Sequence, residues 1–338
     1  MSNWYLQNGR DSDVVITSRV RLVRNLNGFK FLKKCSNEEQ EKILEKIKEI
    51  VPSLGHELKY INLDDLDDIT KLSLVEKHLI SPEFIINNNT KKAIIVNNEE
   101  NICIMLNEDD HIKIQVFSSG QELDNLMNLI IEIDEKIGEI LNYSYNERFG
   151  YIATSPINIG TGMKASVIVH LPALTYTGNL SKVLRIVNNF GMSVRGLYGE
   201  GTQNQGDMYL ISNNQTIGVT EKEIITNVKN IAEKVIEQER TARKFLGKNS
   251  LELEDRVYRT YGILKYASKM SSDECKKILS DVKLGVDLGI IKELDDGKIK
   301  KLELYTKSGN LQKYFGKTLE GYEREIKRAE VIKQIINE

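Results

Sequence analysis

The chain has 338 residues, of which 40% are hydrophobic and 28% charged, which fits a globular protein of two domains or of one large and one small domain. A formal net charge of −2 gives no support for binding to nucleic acids or membranes. No apolar run approaches the length of a membrane span, and the first residues lack a secretory signal. The 3 scattered cysteines and 4 histidines indicate neither disulfides nor a structural metal site. We therefore expect a cytoplasmic protein.

Near the N-terminus, residues 14–25 predict a strand with two arginines on one face. Arg19 and Arg21 alternate with Val20 and Leu22, as in a strand that buries its other face. Two neighbouring guanidinium groups suit a polyphosphate, because each presents a planar fork of donors. For the pair alone, a solvated edge strand is the simpler interpretation.

The following segments predict a helix, a loop and a hairpin. Ser36 and Glu39 have the spacing of a capping box, which begins a helix over 36–51. The acidic segment 62–70 predicts a loop. The segment after it contains His78, and a lone histidine is more often a structural hydrogen-bonding group than a ligand. Residues 93–96 and 102–106 then predict the two strands of a hairpin.

The next stretch brings carboxylates, an imidazole and an ammonium group together. They are Glu108, Asp109, Asp110, His111 and Lys113. After His111 the residues alternate strictly, so this histidine and Lys113 share the polar face of a predicted strand. A hairpin with an acidic turn is one interpretation. We favour a functional site, because acid, imidazole and cation converge at one edge.

A helix is predicted over 121–141, and a glycine-rich turn and strand follow it over 149–171. The turn delivers Lys164, Ser166 and Ile168 onto one face of the strand, and backbone at such a turn can approach a phosphate closely. The segment is not a P-loop, because the Walker spacing is absent and a strand follows in place of a helix.

Residues 195–206 carry Arg195, Glu200 and several glycines. The segment fits a plain hairpin connection, with strands at 208–211 and 216–219. It equally fits a loop that closes over a substrate and excludes water.

The rest of the chain has a helical pattern. Thr220 begins a predicted helix to about 244, residues 245–252 indicate a linker, and Ser271 begins another helix. The last helix runs from about 320 to 337 and carries Arg324 and Arg328 on one face.

Five cations stand at strand or loop positions beside glycines or acidic residues. They are Arg19, Arg21, Lys113, Lys164 and Arg195. Together with the separate carboxylates of Asp109 and Glu200, they fit phosphoryl transfer from a nucleotide to a basic acceptor. The cations would offset charge on the transferred group, and the carboxylates would bind the acceptor and remove its proton.

At this point the chain resembles the ATP:guanidino phosphotransferases, and among them the bacterial protein-arginine kinases. The resemblance covers nearly the whole chain. It rests on TSRVRLVRN at 17–25, LVEKHLISP at 74–82, LNEDDHIKIQ at 106–115, INIGTGMKASV at 157–167, RGLYGEG at 195–201 and EDRVYRTYGIL at 254–264.

The resemblance implies an α+β fold, with an antiparallel sheet flanked by helices, a smaller C-terminal helical domain and Mg-ATP across the sheet. We expect a catalytic domain over 1–248 and a helical domain over 249–338. Asp109 and Glu200 match the catalytic carboxylates, and the nucleotide, not the protein, supplies the main magnesium ligands. The ATP-binding positions carried over are Thr17, Ser18, Arg19, Val20, Arg21, His78, Lys113, Lys164, Ala165, Ser166, Val167, Ile168, Arg195, Gly196, Leu197, Tyr198, Gly199 and Glu200.

In the C-terminal domain the family's phosphoarginine-binding motif matches Arg324, Glu325, Arg328 and Ala329, with Glu in place of Asp. Related kinases for small guanidino substrates carry a helical domain before the arginine-rich strand, for which this chain has no room. Three further departures concern the catalytic site, where Asp109 replaces Glu, and Lys113 and Lys164 replace Arg. Glu108 is expected to point away from Asp109 unless the backbone bends there, because adjacent strand residues face opposite ways.

We therefore predict a kinase that transfers the ATP γ-phosphoryl group to protein arginine side chains, which marks proteins for degradation in the stress response. One alternative is a weakened phosphoarginine-binding adaptor, which the three substitutions favour, and another is a kinase for free arginine. The resemblance implies a zinc-binding activator, a heat-shock repressor and an AAA+ protease as partners. We expect a homodimer.

Overall fold

A computed structural model describes residues 3–86, 90–197, 206–247 and 250–338. The strands in these ranges are β1 (Val15–Arg24), β2 (Lys59–Asn62), β3 (Ala93–Val96), β4 (Ile102–Leu106), β5 (Ile112–Ser119), β6 (Tyr145–Asn146), β7 (Gly150–Tyr151), β8 (Met163–His170), β9 (Met192–Gly196) and β10 (Met208–Asn213). The α-helices are α1 (Asn37–Leu54), α2 (Asp68–Glu76), α3 (Pro82–Ile86), α4 (Leu123–Ile140), α5 (Pro172–Tyr176), α6 (Leu180–Asn189), α7 (Glu221–Leu246), α8 (Ser250–Tyr266), α9 (Ser272–Asp287), α10 (Asp296–Tyr305), α11 (Ser308–Phe315) and α12 (Gly321–Asn337).

The main sheet is antiparallel and has the strand order β2-β3-β4-β5-β1-β8-β10-β9. In its central strand, Arg19 lies opposite Phe117 of β5 and Ser166 of β8. Arg21 lies opposite Lys164 of β8. Because directly opposed residues point to the same face, the register gathers these polar side chains on one face of the sheet. The strand faces predicted from the alternation are confirmed.

Helices α1, α4 and α7 cover the other face. The side chains of Val20, Ala165 and Val167 point into this helix-covered core and are fully buried. Full burial of a valine contributes on the order of 1.5–3 kcal/mol, so the alternation fixes which face is left for polar residues. The predicted antiparallel sheet flanked by helices is confirmed.

The predicted helix starts are confirmed by their caps. Ser36 and Thr220 each form a complete capping box, with Glu39 and Glu223 as the third residue. Ser271 accepts a hydrogen bond from the Glu274 amide and begins α9.

Three details of the predicted segments are wrong. The loop predicted over 62–70 is shorter, because α2 begins at Asp68. Residues 216–219 form no strand, and β10 pairs instead with β9, which the sequence pattern did not indicate. The predicted linker 245–252 is too long, because α7 continues to Leu246 and α8 begins at Ser250. The hairpin of β3 and β4 is as predicted.

The C-terminal helical region, α8 to α12, packs against the sheet-bearing part of the chain, with α11 against α2. The Glu76 carboxylate accepts hydrogen bonds from the Gly309 and Asn310 amides, both at 2.8 Å, at the start of α11. A Cβ atom on Gly309 would lie 2.8 Å from the Leu72 Cγ, so only glycine allows this close approach. No helix in the described part of the chain is long and apolar enough to cross a membrane.

Candidate active site

The polar face of the sheet forms the base of a cleft of about 730 Å³. One wall is the segment 75–83, and the connection between β4 and β5 closes one end. The opposite wall belongs to the C-terminal helical region. A second, largely apolar cavity adjoins the cleft at Thr17 and Ile168 and shares His78, Leu197 and Lys307 with it. We call the larger space the cleft and the smaller one the adjoining cavity.

Four cations share the polar sheet face, namely Arg19, Arg21, Lys164 and Arg195. None of them forms an ion pair with a carboxylate among the residues that the structure describes. Arg19 makes one long hydrogen bond, 3.4 Å from its Nε to the Ser166 Oγ, and the buried Arg21 Nε has no described partner. Arg19, Arg21 and Lys164 are partly buried, and Arg195 is exposed. Because partly buried cations are gathered here without described counter-charges, this surface is suited to an anionic ligand.

The pKa values of these groups reflect their crowding. Burial, together with the Arg21 and Arg195 guanidinium groups, lowers the pKa of Arg19 to about 10, which leaves it protonated at neutral pH. Burial and the neighbouring arginines lower the pKa of Lys164 to about 8. An anion bound here would therefore restore the ordinary basicity of Lys164.

Lys113 is paired, in contrast to those four cations. Its ammonium contacts the Glu108 carboxylate, both side chains are under 10% exposed, and Glu108 also accepts a hydrogen bond from Ser81. Glu108 and Asp109 both line the cleft, so the exception to the expected opposite orientation, a bend in the backbone, applies here. Residues 107–111 form a bend between the strands, with Asn107 at a φ of 59°, and strand alternation does not apply there.

Asp109 stands at the end of the cleft with an exposed side chain. Its backbone is held, since the Asp109 carbonyl accepts a hydrogen bond of 2.9 Å from the Thr154 hydroxyl. The next residue, Asp110, is fully buried and accepts hydrogen bonds from Asn25 and the Thr154 amide. Of the two adjacent aspartates, therefore, Asp109 is placed to reach a substrate.

Two histidines have different surroundings. His111 is fully buried, and its ring nitrogens bond to the Leu26 amide and the Lys30 carbonyl, so it does not converge with the carboxylates as expected. His78 lines the cleft at a φ of 63°. Burial, with Lys307 and Arg19 nearby, lowers the pKa of His78 to about 3, so its imidazole is neutral at pH 7.

The structure brings most of the predicted nucleotide-binding residues together. Those that line the cleft, the adjoining cavity or a small neighbouring recess are Thr17, Arg19, Arg21, His78, Lys113, Ser166, Ile168, Arg195, Gly196 and Leu197. Lys164 lies on the polar face opposite Arg21, outside the lining of these three spaces. Four predicted residues lie on the opposite face of the sheet, with their side chains buried, namely Ser18, Val20, Ala165 and Val167. Tyr198, Gly199 and Glu200 lie outside the described residues.

The sequence patterns missed several residues that line the cleft. They are Glu83, Ser272, Lys276, Lys307 and Ser308. Except for Glu83, they come from the C-terminal helical region. No motif in the sequence placed that region beside the sheet.

The predicted phosphoarginine-binding residues lie on α12, but the two arginines differ in exposure. Arg328 is 2% exposed, and its guanidinium donates to the Thr306 and Met270 carbonyls at 2.7 and 2.9 Å. Arg324 is partly exposed and donates to the Leu319 carbonyl at 3.1 Å. Arg328 therefore holds its own region together, whereas Arg324 is more accessible. Phosphoarginine binding by these residues stays a prediction.

Among the described residues, no cluster of 3 or more His, Cys, Asp or Glu side chains could hold a metal ion. Polyphosphate oxygens are good ligands for Mg²⁺, which binds through few carboxylates and keeps several waters.

Known proteins resemble the chain in sequence and in fold. The family model described as "ATP:guanido phosphotransferase, C-terminal catalytic domain" matches residues 40–242, and that described as "Protein-arginine kinase McsB C-terminal domain" matches 250–338. The protein-arginine kinase of Halothermothrix orenii is 41% identical over 100% of this chain and 97% of that protein. The protein-arginine kinase of Bacillus subtilis is 40% identical over 99% of this chain and 93% of that protein.

A solved lombricine kinase superposes with a TM-score of 0.60 at 23% identity, and the match covers 69% of this chain and 68% of that one. This similarity shows the fold alone. The resemblance inferred from the six motifs is thus confirmed by sequence relatives and fold together. The chain belongs to the ATP:guanido phosphotransferase family, in the branch of the protein-arginine kinases.

Proposed function

We infer that this protein transfers the γ-phosphoryl group of ATP to arginine side chains of proteins. The observation that carries the proposal is the cluster of Arg19, Arg21 and Arg195, cations without described ion pairs that line a cleft with Asp109 at its end. Lys164 lies opposite Arg21 on the same face of the sheet. The negative charge of a polyphosphate is complementary to the cations, and the positive charge of a guanidinium is complementary to the Asp109 carboxylate. The full-length similarity to protein-arginine kinases supports protein arginine as the acceptor.

The cations bind the phosphates and offset the charge that develops on the transferred group. They lie on a rigid sheet, so they need little reorganisation during the reaction. Neutral His78 and the apolar residues of the adjoining cavity are suited to the nucleoside end of ATP. Mg²⁺ would bind the phosphates and add a further positive charge.

Asp109 receives the acceptor. Its carboxylate orients the guanidinium group and takes the proton that leaves the attacking nitrogen. A bond forms between that nitrogen and the γ-phosphorus, the bond between the γ-phosphorus and the bridging oxygen breaks, and ADP leaves. We propose Glu200 as the second carboxylate that binds the guanidinium, on the basis of the motif match.

The remaining expectations are also proposals. We propose a catalytic domain over 1–248 and a phosphoarginine-binding domain over 249–338, a boundary that the two family matches support. From the resemblance we also propose a cytoplasmic location, a homodimer and the marking of proteins for degradation. The partners that it implies are a zinc-binding activator, a heat-shock repressor and an AAA+ protease.

The test is incubation of the full chain with Mg-ATP and an arginine-rich protein. Acid-labile phosphate on arginine is the expected product, and mass spectrometry locates it. An Asp109→Asn variant controls for contaminating kinases. Nucleotide binding without transfer would support the adaptor alternative, and faster phosphorylation of free arginine than of protein would support a small-molecule kinase.

A further inference from the structure

We propose that Lys307 of the C-terminal helical region binds the polyphosphate of the nucleotide, so that both parts of the chain form the ATP site. This inference rests on the proposed phosphotransferase function. Lys307 would be a phosphate-binding cation from outside residues 40–242, the range that matches the family model of the catalytic domain.

The position of Lys307 carries the proposal. Lys307 precedes α11 and lines both the cleft and the adjoining cavity. It shares the two spaces with His78 and Leu197, residues that stand where the nucleotide is expected. A ligand that extends from the adjoining cavity along the cationic sheet face would therefore pass beneath Lys307.

The backbone around Lys307 is held from three sides. The Glu76 carboxylate caps the two amides that follow at 309 and 310. Arg328 donates to the Thr306 carbonyl at 2.7 Å and to the Ser308 Oγ at 3.4 Å. The Lys307 Nζ itself donates to the Glu76 carbonyl at 2.9 Å. The side chain is thus preorganised, which reduces the entropy lost when it binds a ligand.

The chemistry of the ammonium group selects an anion. A lysine has three N–H donors, and among the described residues only the Glu76 carbonyl accepts one from Lys307, so two remain for phosphate oxygens. Asp109 is suited to a cationic acceptor, whereas a guanidinium would be repelled by Lys307.

The experiment measures nucleotide affinity of the full chain by calorimetry. The variants are Lys307→Met, which removes the charge at similar length, and Lys307→Arg, which keeps it. We expect Lys307→Met to weaken Mg-ATP and Mg-ADP binding by about 10-fold and to leave adenosine binding unchanged. Lys307→Arg should recover most of the affinity. The matched control is Lys313→Met, at an exposed position of α11. This variant should bind the nucleotides as the parent does.

The outcomes separate this inference from the proposed function. A parent protein that fails to bind Mg-ATP would overturn the function itself. If the parent binds but Lys307→Met binds Mg-ATP equally well, the function stands and the role of Lys307 is refuted. Equal losses for adenosine and Mg-ATP would also refute it, because they would indicate a distorted wall of the adjoining cavity and no contact with phosphate.

Discussion

Lys164 should make nucleotide binding depend on pH in the mildly alkaline range. Its pKa is lowered to about 8, by burial and by Arg21, Arg195 and Arg19, from an ordinary value of 10.5. The lowered pKa means that the ammonium is charged below pH 8 and neutral above it. A bound phosphate favours the charged form and moves the pKa back towards its ordinary value.

The size of the effect follows from linkage. With a pKa near 8, the charged fraction of Lys164 falls from about 0.9 at pH 7 to about 0.09 at pH 9. Affinity for a polyphosphate should therefore fall about 10-fold over this range through Lys164 alone. Arginine stays charged throughout, so Lys164→Arg should remove this part of the pH dependence.

The assay is calorimetric titration of Mg-ADP at pH 7, 8 and 9 into the parent and into Lys164→Arg. Lys113 is present in both proteins, so any pH dependence that it contributes cancels in the ratio of their dissociation constants, and the ratio isolates Lys164. Lys313→Arg serves as the control, and circular dichroism verifies folding at pH 9. A ratio that stays constant from pH 7 to pH 9 would refute the reasoning.

The further predictions concern catalysis and the C-terminal helical region. Asp109→Asn should lower kcat by roughly 100- to 10,000-fold without changing the dissociation constant of Mg-ADP, and a parent-like rate would exclude Asp109 as the base. Asp109→Glu should raise turnover if a longer carboxylate reaches the guanidinium better; unchanged or lower turnover means that the site is already built around Asp. Glu76→Ala should lower the free energy of unfolding by about 2–3 kcal/mol in urea, since two amides of α11 lose a charged acceptor, and an unchanged midpoint and slope would contradict this. Arg328→Met should cost about 2–4 kcal/mol, because two buried carbonyls lose their donor, whereas Arg324→Ala should leave stability nearly unchanged and weaken phosphoarginine binding by the full chain. Undiminished binding by Arg324→Ala would place the phosphoarginine site elsewhere.

Local patterns in the sequence determined the elements and the faces of the central strands. Alternation alone separates Arg19 and Arg21 from Val20, because a strand has a period of two and one face must be buried. The capping residues Ser36 and Thr220 located helix starts to within a residue, because a side-chain cap satisfies amides only a few positions away. These properties depend on neighbours in the chain, so the sequence is sufficient to predict them.

Tertiary structure decided which side chains surround the cleft. Glu108 faces the cleft only because the chain bends at 107–111, and Arg328 is buried only because α12 packs against the segments that contain Met270 and Thr306. Lys307 lies beside His78 because Glu76 and the absent side chain of Gly309 let α11 pack closely on α2, more than 230 residues away along the chain. Such contacts arise from packing between distant segments, and no local periodicity encodes them.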